Sequence, residues 1–255
     1  MIGGHHVTKE NLIEMFNTVK MKHSGDNIDK LLAYSRENSL SYEKFLARLL
    51  NQEIEAKNEK RLERNLKQAA FLEYKTLDEF VISEQQSLSQ RQLNQLKELT
   101  WLEQGYNMVL LGPPGVGKTH LAIGLGIHAI NSGFKVMFAT MNDLVHWLKT
   151  EEIVRTSSTK IKRITKADLV IIDDLMFMAM EKTEANLFFQ LINKLYGQTS
   201  IIITSNKGPK DWGELLGDPA ITTAILDRII HKCEIINLQG DSYRLKHRDT
   251  IFGKS

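Results

Sequence analysis

One short segment of the chain carries the residues of a phosphate-binding loop. Residues 112–119 read GPPGVGKT, which fits the pattern G-x-x-x-x-G-K-[ST] in full. Glycines let the backbone curl so that successive N–H groups face the phosphates, and the N-terminus of the following helix adds a partial positive charge. We expect Lys118 to reach the β- and γ-phosphates and the Thr119 hydroxyl to ligate Mg²⁺. An apolar run at 108–111 and a helical run at 119–130 flank the loop, and this strand–helix context predicts a nucleotide site.

Two carboxylates end the apolar run 169–172 and supply a second chemical signal. Asp173 suits the Mg²⁺ partner of a P-loop NTPase. Asp174, one residue later, could polarise an attacking water as a general base. The next apolar run is followed by Asn206, which could orient that water or contact the γ-phosphate. A whole strand–helix unit, residues 135–153, separates the loop from the acidic strand, and this order favours hydrolysis over simple phosphate transfer.

Two arginines near the carboxyl end are candidates for contact with the nucleotide. Arg228 follows Asp227 at the end of a predicted helix. Either a local ion pair between these two side chains or an arginine finger inserted into a neighbouring subunit's site would explain it. Arg244 is a candidate for a nucleotide-sensing role. Only 11 residues follow Arg244, and we expect these to be too few for a helical lid domain over the nucleotide.

The elements that must position these side chains follow an α/β pattern. Apolar runs predict strands at 108–111, 135–140, 169–172, 200–203 and 233–238, with helical runs between them. Five strands that alternate with helices imply a parallel sheet with helices on both faces. Two predicted capping boxes, Thr76-x-x-Glu79 and Ser89-x-x-Gln92, precede this part of the chain.

The first 76 residues have a different, helical pattern and contain no proline. From Ser41 onward, apolar residues recur with the spacing of an amphipathic helix, and shorter helical runs lie at 12–21 and 28–34. We therefore predict a small all-helical N-terminal domain over residues 1–76, used for DNA or partner contacts. The nucleotide-binding domain is predicted over residues 77–255.

Two basic segments are candidates for contact with a phosphodiester backbone. The first, residues 57–67, includes Lys57, Lys60, Arg61 and Arg64, and a solvated helix face with i, i+4 ion pairs is its alternative interpretation. The second, residues 155–166, has five basic and no acidic residues, among them Lys160, Lys162 and Arg163. Its Ser-Ser-Thr run predicts a loop, and an exposed amphipathic helix is the alternative.

Composition narrows the class of protein. The 33 basic residues nearly balance the 31 acidic ones, so nucleic-acid binding would have to come from local clusters. The single cysteine, Cys233, excludes an internal disulfide and a cysteine-built metal site, which fits a reducing cytosol. No apolar run approaches the ~18 residues of a membrane span, and no membrane contact is expected.

The segment 107–122 resembles the phosphate-binding segment of the IstB/DnaC group of AAA+ ATPases, and the chain is most similar to the IstB-type transposition helper ATPases. The helical segment 41–70, the run 217–228 and the ending 240–244 carry the same likeness. The resemblance implies an AAA+ core with ATP and Mg²⁺ as cofactors. It implies a homo-oligomer that forms on double-stranded DNA when ATP is bound, recruits or stimulates an IstA-type transposase, and is released by hydrolysis. It also implies a bacterial cytoplasmic protein that is associated with the nucleoid while on DNA.

The resemblance also assigns roles to individual residues. The cofactor-binding residues are Gly112, Pro113, Pro114, Gly115, Val116, Gly117, Lys118, Thr119, His120 and Arg244. The family's Walker B motif maps to Asp173 and Asp174, its sensor 1 to Asn206 or Ser205, and its arginine finger to Arg228. Most AAA+ proteins have glutamate where this chain has Asp174. Because aspartate is shorter by one methylene, we expect slow hydrolysis unless DNA or a partner stimulates it.

Three other functions stay open at this point. A DnaC-type replicative helicase loader would hold single-stranded DNA and a helicase, and the helical N-terminal segment favours the transposition helper over it. A small-molecule P-loop kinase would transfer phosphate independently of DNA. A structural module would bind nucleotide without hydrolysing it, and the variant Asp174→Asn would then trap no ATP-bound state.

Overall fold

A computed structural model describes residues 8–85, 87–175, 180–213 and 218–246. The chain divides into two compact units, Met1–Arg64 and Asn65–Ser255. The predicted domain boundary at residue 76 stays a prediction. Among the described residues, no helix is long and apolar enough to cross a membrane.

The first unit is helical, as predicted. It contains α1 (Lys9–Thr18), α2 (Lys22–Glu37) and most of α3 (Tyr42–Ala69). The Ser41 hydroxyl accepts a hydrogen bond from the Lys44 N–H at 3.4 Å and so caps α3. A small apolar core joins α2 to α3 through Ile28, Leu31 and Leu49.

A buried carboxylate also ties these two helices together. Glu53 on α3 accepts hydrogen bonds from the Ser24 backbone N–H at 2.7 Å and from the Ser24 hydroxyl at 2.8 Å, at the start of α2. Burial raises the pKa of Glu53, but the two Ser24 hydrogen bonds and the nearby Lys57 outweigh burial and leave that pKa below its ordinary value. The carboxylate therefore stabilises the start of α2 in its ionised form.

The second unit is built on a five-stranded sheet, and all its neighbouring strands are parallel. The strands are β1 (Asn107–Leu111), β2 (Val136–Thr140), β3 (Leu169–Asp173), β4 (Ser200–Ser205) and β5 (Cys233–Asn237). Their order across the sheet is β2-β3-β4-β1-β5. Every residue of β3 and β4 is buried, as expected for strands covered on both faces. The five predicted strands are confirmed.

Helices connect and cover these strands. They are α4 (Gln90–Lys97), α5 (Thr100–Glu103), α6 (Lys118–Asn131), α7 (Met141–Thr150), α8 (Arg155–Ile164), α9 (Lys182–Leu195), α10 (Pro219–Ile230) and α11 (Tyr243–Lys246). The capping box at Ser89 begins α4, and that at Thr76 begins a short 3₁₀ turn, so both are confirmed. Of the run 217–228, residue 217 lies outside the described residues, and α10 covers most of the rest.

The prediction of a loop in the first half of residues 155–166 is wrong. This stretch is the helix α8, with Ile161 and Ile164 buried on its inner face. The side chain of Ser157 is also buried and shares a hydrogen bond of 2.7 Å with the Thr150 hydroxyl. Tertiary contacts therefore override the local preference of the Ser-Ser-Thr run for a turn. The alternative interpretation, an amphipathic helix, is the correct one.

The sheet order brings three chemical segments to one edge. β3, β4 and β1 are neighbours, so the acidic pair, the polar end of β4 and the glycine-rich loop all lie at the carboxyl ends of adjacent strands. The chain leaves β1 toward β2 on one side, whereas β5 lies on the other side of β1. A parallel sheet forms its ligand crevice at such a switch point.

Candidate nucleotide-binding site

The loop between β1 and α6 adopts a conformation that requires its glycines. Gly112, Gly115 and Gly117 have positive φ angles of 143°, 86° and 97°. A Cβ atom on Gly112 would lie 2.2 Å from the carbonyl oxygen of Leu238, and one on Gly115 would lie 2.2 Å from the hydroxyl oxygen of Ser242. Larger residues are therefore excluded by both backbone strain and space.

Lys118 lies at the start of α6, and its ammonium group is nearly buried, with 6% of the residue exposed. Its Nζ donates to the carbonyl oxygens of Gly112 at 2.7 Å and Pro113 at 2.9 Å, and to Oδ1 of Asn206 at 2.7 Å. Burial lowers the pKa of Lys118, although the carboxylates of Asp174 and Asp173 oppose that change. The lysine thus joins the loop to the end of β4.

The next residue, Thr119, contacts the acidic strand. Its hydroxyl donates to Oδ1 of Asp173 at 2.9 Å. Burial raises the pKa of Asp173, and the hydrogen bonds from Thr204 and Thr119 partly offset this rise. A hydroxyl and a carboxylate are oxygen ligands that Mg²⁺ accepts, usually together with water and substrate phosphates. The two side chains predicted to hold Mg²⁺ therefore lie together and fit that ion.

Asp174 differs from Asp173 in its surroundings. It is exposed and has a positive φ of 56°, which is uncommon for a residue with a side chain. Its backbone N–H donates to the Thr204 hydroxyl at 2.9 Å. An exposed carboxylate beside a phosphate-binding loop is free to approach a water molecule, as a general base must.

Thr204, for which no role was predicted, is fully buried at the end of β4. Its hydroxyl donates to Asp173 and accepts from Asp174, so it contacts both residues of the acidic pair. Asn206, two residues later, faces Lys118, whereas the Ser205 hydroxyl bonds locally to the backbone of Lys207. Of the two sensor 1 candidates, the geometry therefore favours Asn206.

A cavity of about 340 Å³, which was not predicted from the sequence, adjoins the phosphate-binding loop. Residues of the segment 74–85 line it together with Val116, Gly117 and Tyr243. His120 also lines it, and its ring lies edge-on to the Phe80 ring at 5.4 Å. Sites for small ligands typically begin at about 300 Å³, so the cavity is large enough to hold a small ligand beside the loop.

The two candidate arginines lie in different places. Arg244, on α11, is exposed. Burial of Lys118 is the main cause of its lowered pKa, and the positive charge of Arg244 lowers that pKa further. Arg228 lines a small cavity together with Asn107 and Thr199, at the amino ends of β1 and β4. That edge of the sheet is opposite to the loop, so Arg228 lies away from the candidate nucleotide site of its own chain.

Contacts within the chain hold Arg228 in place. Its guanidinium donates to Oδ1 of Asn193 at 3.0 Å and to the carbonyl oxygen of Ala224 at 2.8 Å, and it lies 5.0 Å from the Phe189 ring centre. Among the described residues it makes no ion pair with Asp227. The ion-pair interpretation of Arg228 is therefore wrong, and the geometry leaves the arginine finger open.

The candidate DNA-binding residues are mostly exposed. In the first segment, Lys57 pairs with Glu53 at 3.6 Å, while Lys60, Arg61 and Arg64 are exposed on α3. In the second segment, the Nζ of Lys160 lies 5.2 Å from the Trp147 ring centre, while Lys162 and Arg163 are exposed on the outer face of α8. Both segments therefore present exposed cations on a helix surface.

Comparison with known proteins covers nearly the whole chain. A model of the family described as IstB-like ATP binding protein matches residues 15–250. The chain is 38% identical over 234 residues to the ATP-binding protein of insertion sequence IS21 from Pseudomonas aeruginosa, covering 92% of this chain and 88% of that relative. It is 37% identical over 244 residues to an IS21-like ATP-binding protein of Bacteroides fragilis, covering 96% and 93%.

Among solved structures, the sheet and its helices are similar to AMPPCP-bound DnaA from Aquifex aeolicus. The TM-score is 0.54 with 22% identity, and the match covers 69% of this chain and 54% of that one. At this identity the likeness shows the fold alone. That fold is a P-loop AAA+ core, and the predicted fold class is confirmed; the absence of a lid domain stays a prediction.

Proposed function

We propose that this chain, which belongs to the IstB-like ATP-binding protein family, binds and hydrolyses ATP at residues 112–119. One observation carries the proposal: Lys118 contacts the loop and Asn206, while Thr119 contacts Asp173. Three strands thus place a cation, a carboxylate and an amide around one backbone loop. This is the set of groups that phosphoryl transfer needs, because its catalysis rests on positioning and charge stabilisation.

Each group has a role in the proposed reaction. The backbone N–H groups of the loop and Lys118 bind the phosphates, and Thr119 and Asp173 hold Mg²⁺. When bound, Mg²⁺ offsets charge on the phosphate oxygens. Asp174 accepts a proton from the attacking water as general base, and Asn206 orients that water. The base and ribose occupy the cavity beside Phe80, and Arg244 lies near the phosphates as a sensing residue.

We further propose that the protein is a transposition helper that assembles on double-stranded DNA. The relatives named above are proteins of insertion sequences, and the exposed cations of α3 and α8 suit contacts with phosphate. Arg228 inserts into the nucleotide site of a neighbouring subunit and makes assembly depend on ATP. A partner transposase is recruited or stimulated by the assembly, and hydrolysis releases the protein. These steps take place in the bacterial cytoplasm, at the nucleoid.

Two variants and one control test the nucleotide chemistry. Lys118→Ala is expected to lose ATP binding, whereas Asp174→Asn is expected to bind ATP and to hydrolyse it about 10²- to 10⁴-fold more slowly, the usual contribution of a general base. Lys135→Ala, an exposed lysine before β2, serves as the control for loss of a positive charge. Equilibrium binding of a fluorescent ATP analogue and release of phosphate are the two measurements. Hydrolysis that survives Lys118→Ala would contradict the proposal.

The kind of DNA that the protein prefers distinguishes a transposition helper from a helicase loader. A preference for single-stranded DNA, together with binding to a replicative helicase, would favour the loader. Phosphate transfer to a small molecule in the absence of DNA would favour a kinase.

A further inference from the structure

The side chain of Gln85 joins the segment before α4 to the phosphate-binding loop. Its Nε2 donates a hydrogen bond of 2.7 Å to the carbonyl oxygen of Val116. Its Oε1 is buried and has no hydrogen-bond partner among the described residues. A buried acceptor without a partner is uncommon in folded proteins and is costly, so it calls for an explanation.

The orientation of this amide is fixed by chemistry. A backbone carbonyl can only accept a hydrogen bond, so the Gln85 amide must present Nε2 to Val116. Oε1 is therefore the atom left over, and it can take only a donor. An amide flip would not relieve the problem, because it would bring two acceptors together at Val116.

Gln85 lines the cavity beside the loop, together with Phe80, Gly117 and His120. A Cβ atom on Gly117 would lie 3.1 Å from the Phe80 ring and 3.5 Å from Gln85 Nε2, so the loop and the cavity wall are packed closely. Adenine carries an exocyclic amino group at position 6, whereas guanine carries a carbonyl oxygen there. Of these two groups only the amino group is a donor, and only it can satisfy Oε1.

We propose that Gln85 determines base specificity: its Oε1 accepts a hydrogen bond from the exocyclic amino group of adenine while its Nε2 stays on Val116. The proposal rests on the proposed nucleotide site and adds to it the residue that selects adenine over guanine. Because Oε1 is shielded in the structure, the cavity wall or the Gln85 side chain must shift when the base binds. One amide then links recognition of the base to the peptide between Val116 and Gly117, which is part of the phosphate-binding loop.

The first test needs no variant. Competition against a fluorescent ATP analogue gives the affinity of the wild-type protein for ATP, for GTP and for purine riboside triphosphate, which lacks the amino group. We expect purine riboside triphosphate to bind about tenfold more weakly than ATP, the usual effect of leaving a buried polar group unpaired. GTP should bind more weakly still, because its carbonyl oxygen would face Oε1. Equal affinity for ATP and purine riboside triphosphate would overturn the proposal.

Variants then assign the effect to one side chain. Gln85→Met and Gln85→Ala remove the acceptor. The ratio of the affinity for ATP to that for purine riboside triphosphate should then fall to about one. Gln85→Glu keeps an acceptor but loses the donor to Val116. ATP and purine riboside triphosphate should therefore both bind more weakly, while ATP stays preferred. Gln104→Met, an exposed glutamine outside this cavity, is the matched control. A ratio that is unchanged in Gln85→Met or Gln85→Ala would refute the role of Gln85.

Failure of the underlying nucleotide site gives a different result. If the wild-type protein bound none of the three triphosphates, or if Lys118→Ala bound them equally well, the proposed function itself would fail. If binding requires Lys118 but does not distinguish the bases through Gln85, only the specificity proposal fails. Thermal unfolding of each variant shows which of them retain the fold, and Gln85→Ala replaces Gln85→Met if the longer side chain does not fit.

Discussion

The hydroxyl of Thr204 donates a hydrogen bond of 2.6 Å to Oδ1 of Asp173. The same hydroxyl accepts the backbone N–H of Asp174 at 2.9 Å. Thr204 is on β4, whereas Asp173 ends β3 and Asp174 follows it. The geometry of the acidic pair therefore depends on this one side chain from the neighbouring strand.

Thr204→Val is expected to reduce kcat by about 10- to 100-fold, because small displacements of catalytic groups have effects of that size. The affinity for ATP should change by less than about threefold, since Lys118 and the loop are untouched. Thr204→Ser keeps the hydroxyl and should restore most of the rate. Phosphate release and nucleotide binding, measured on the same preparations, separate the two quantities. Equal losses in Thr204→Val and Thr204→Ser would contradict a role for the hydroxyl.

Mixing two inactive variants tests whether Arg228 acts between subunits. Arg228→Ala keeps an intact nucleotide site, and Lys118→Ala keeps an intact arginine, so a mixed assembly contains some interfaces with both. ATP hydrolysis by the mixture on duplex DNA should therefore exceed that of either variant alone. Asn193→Ala, which removes one partner of Arg228, should reduce activity less than Arg228→Ala does. A mixture no more active than its components would show that Arg228 does not serve a neighbour's site.

Neutralising Lys160, Lys162 and Arg163 together is expected to weaken binding to DNA of every sequence. The slope of log affinity against log salt should become less steep, by as much as about 0.9 for each DNA phosphate that the variant no longer neutralises. The matched variant neutralises Lys60, Arg61 and Arg64 on α3. Fluorescence anisotropy with labelled duplex at several salt concentrations compares the two. If the α8 variant keeps the wild-type affinity and slope, α8 does not contact the DNA backbone.

The ionised Glu53 carboxylate should make the stability of the N-terminal helical unit sensitive to acid. Its pKa is lower in the folded protein than in the unfolded chain, so its contribution is complete above about pH 4.3, the ordinary value for glutamate, and is lost as the pH falls through the folded value. Glu53→Gln should destabilise this unit by about 1 kcal/mol at pH 7, because the amide oxygen can still accept from Ser24 but lacks the charge that strengthens these hydrogen bonds. Below pH 4 the difference between variant and wild type should shrink.

Hydrogen–deuterium exchange of peptides from α2, corrected for the intrinsic rate, measures this difference at both pH values. Glu55→Gln, an exposed glutamate two residues along α3, is the control and should leave α2 unchanged. A Glu53→Gln effect that is equally large at pH 3.5 and pH 7 would exclude the ionised carboxylate as its cause.

The sheet and the loop could be predicted because their signals are local. A buried parallel strand is a continuous apolar run, and the polar residue that ends the run, such as Asp173 at the end of β3, identifies its carboxyl end. Thr204 could not be predicted, because threonine is an ordinary residue within a strand and its two partners come from β3, about 30 residues earlier in the chain. Gln85 was missed for the same reason: its partner Val116 is 31 residues away.

The wrong loop prediction at residues 155–166 has a different cause, because here a local signal was present but was overridden by packing. The Ser-Ser-Thr run is a genuine local signal for a turn, but burial of Ile161 and the contact between Ser157 and Thr150 decide the conformation. Structure can therefore be predicted from sequence where the local pattern and the tertiary packing agree, but not where packing overrides the local pattern.

The most direct measurement is sedimentation velocity of the protein with duplex or single-stranded DNA, each with and without ATP and Mg²⁺, with Lys118→Ala as the control. A transposition helper should form large assemblies on duplex DNA only when ATP is present, and Lys118→Ala should form none. Assemblies that form equally well without ATP, or with Lys118→Ala, would contradict ATP-dependent assembly on DNA. Assembly on single-stranded DNA alone would contradict the duplex target and favour a helicase loader.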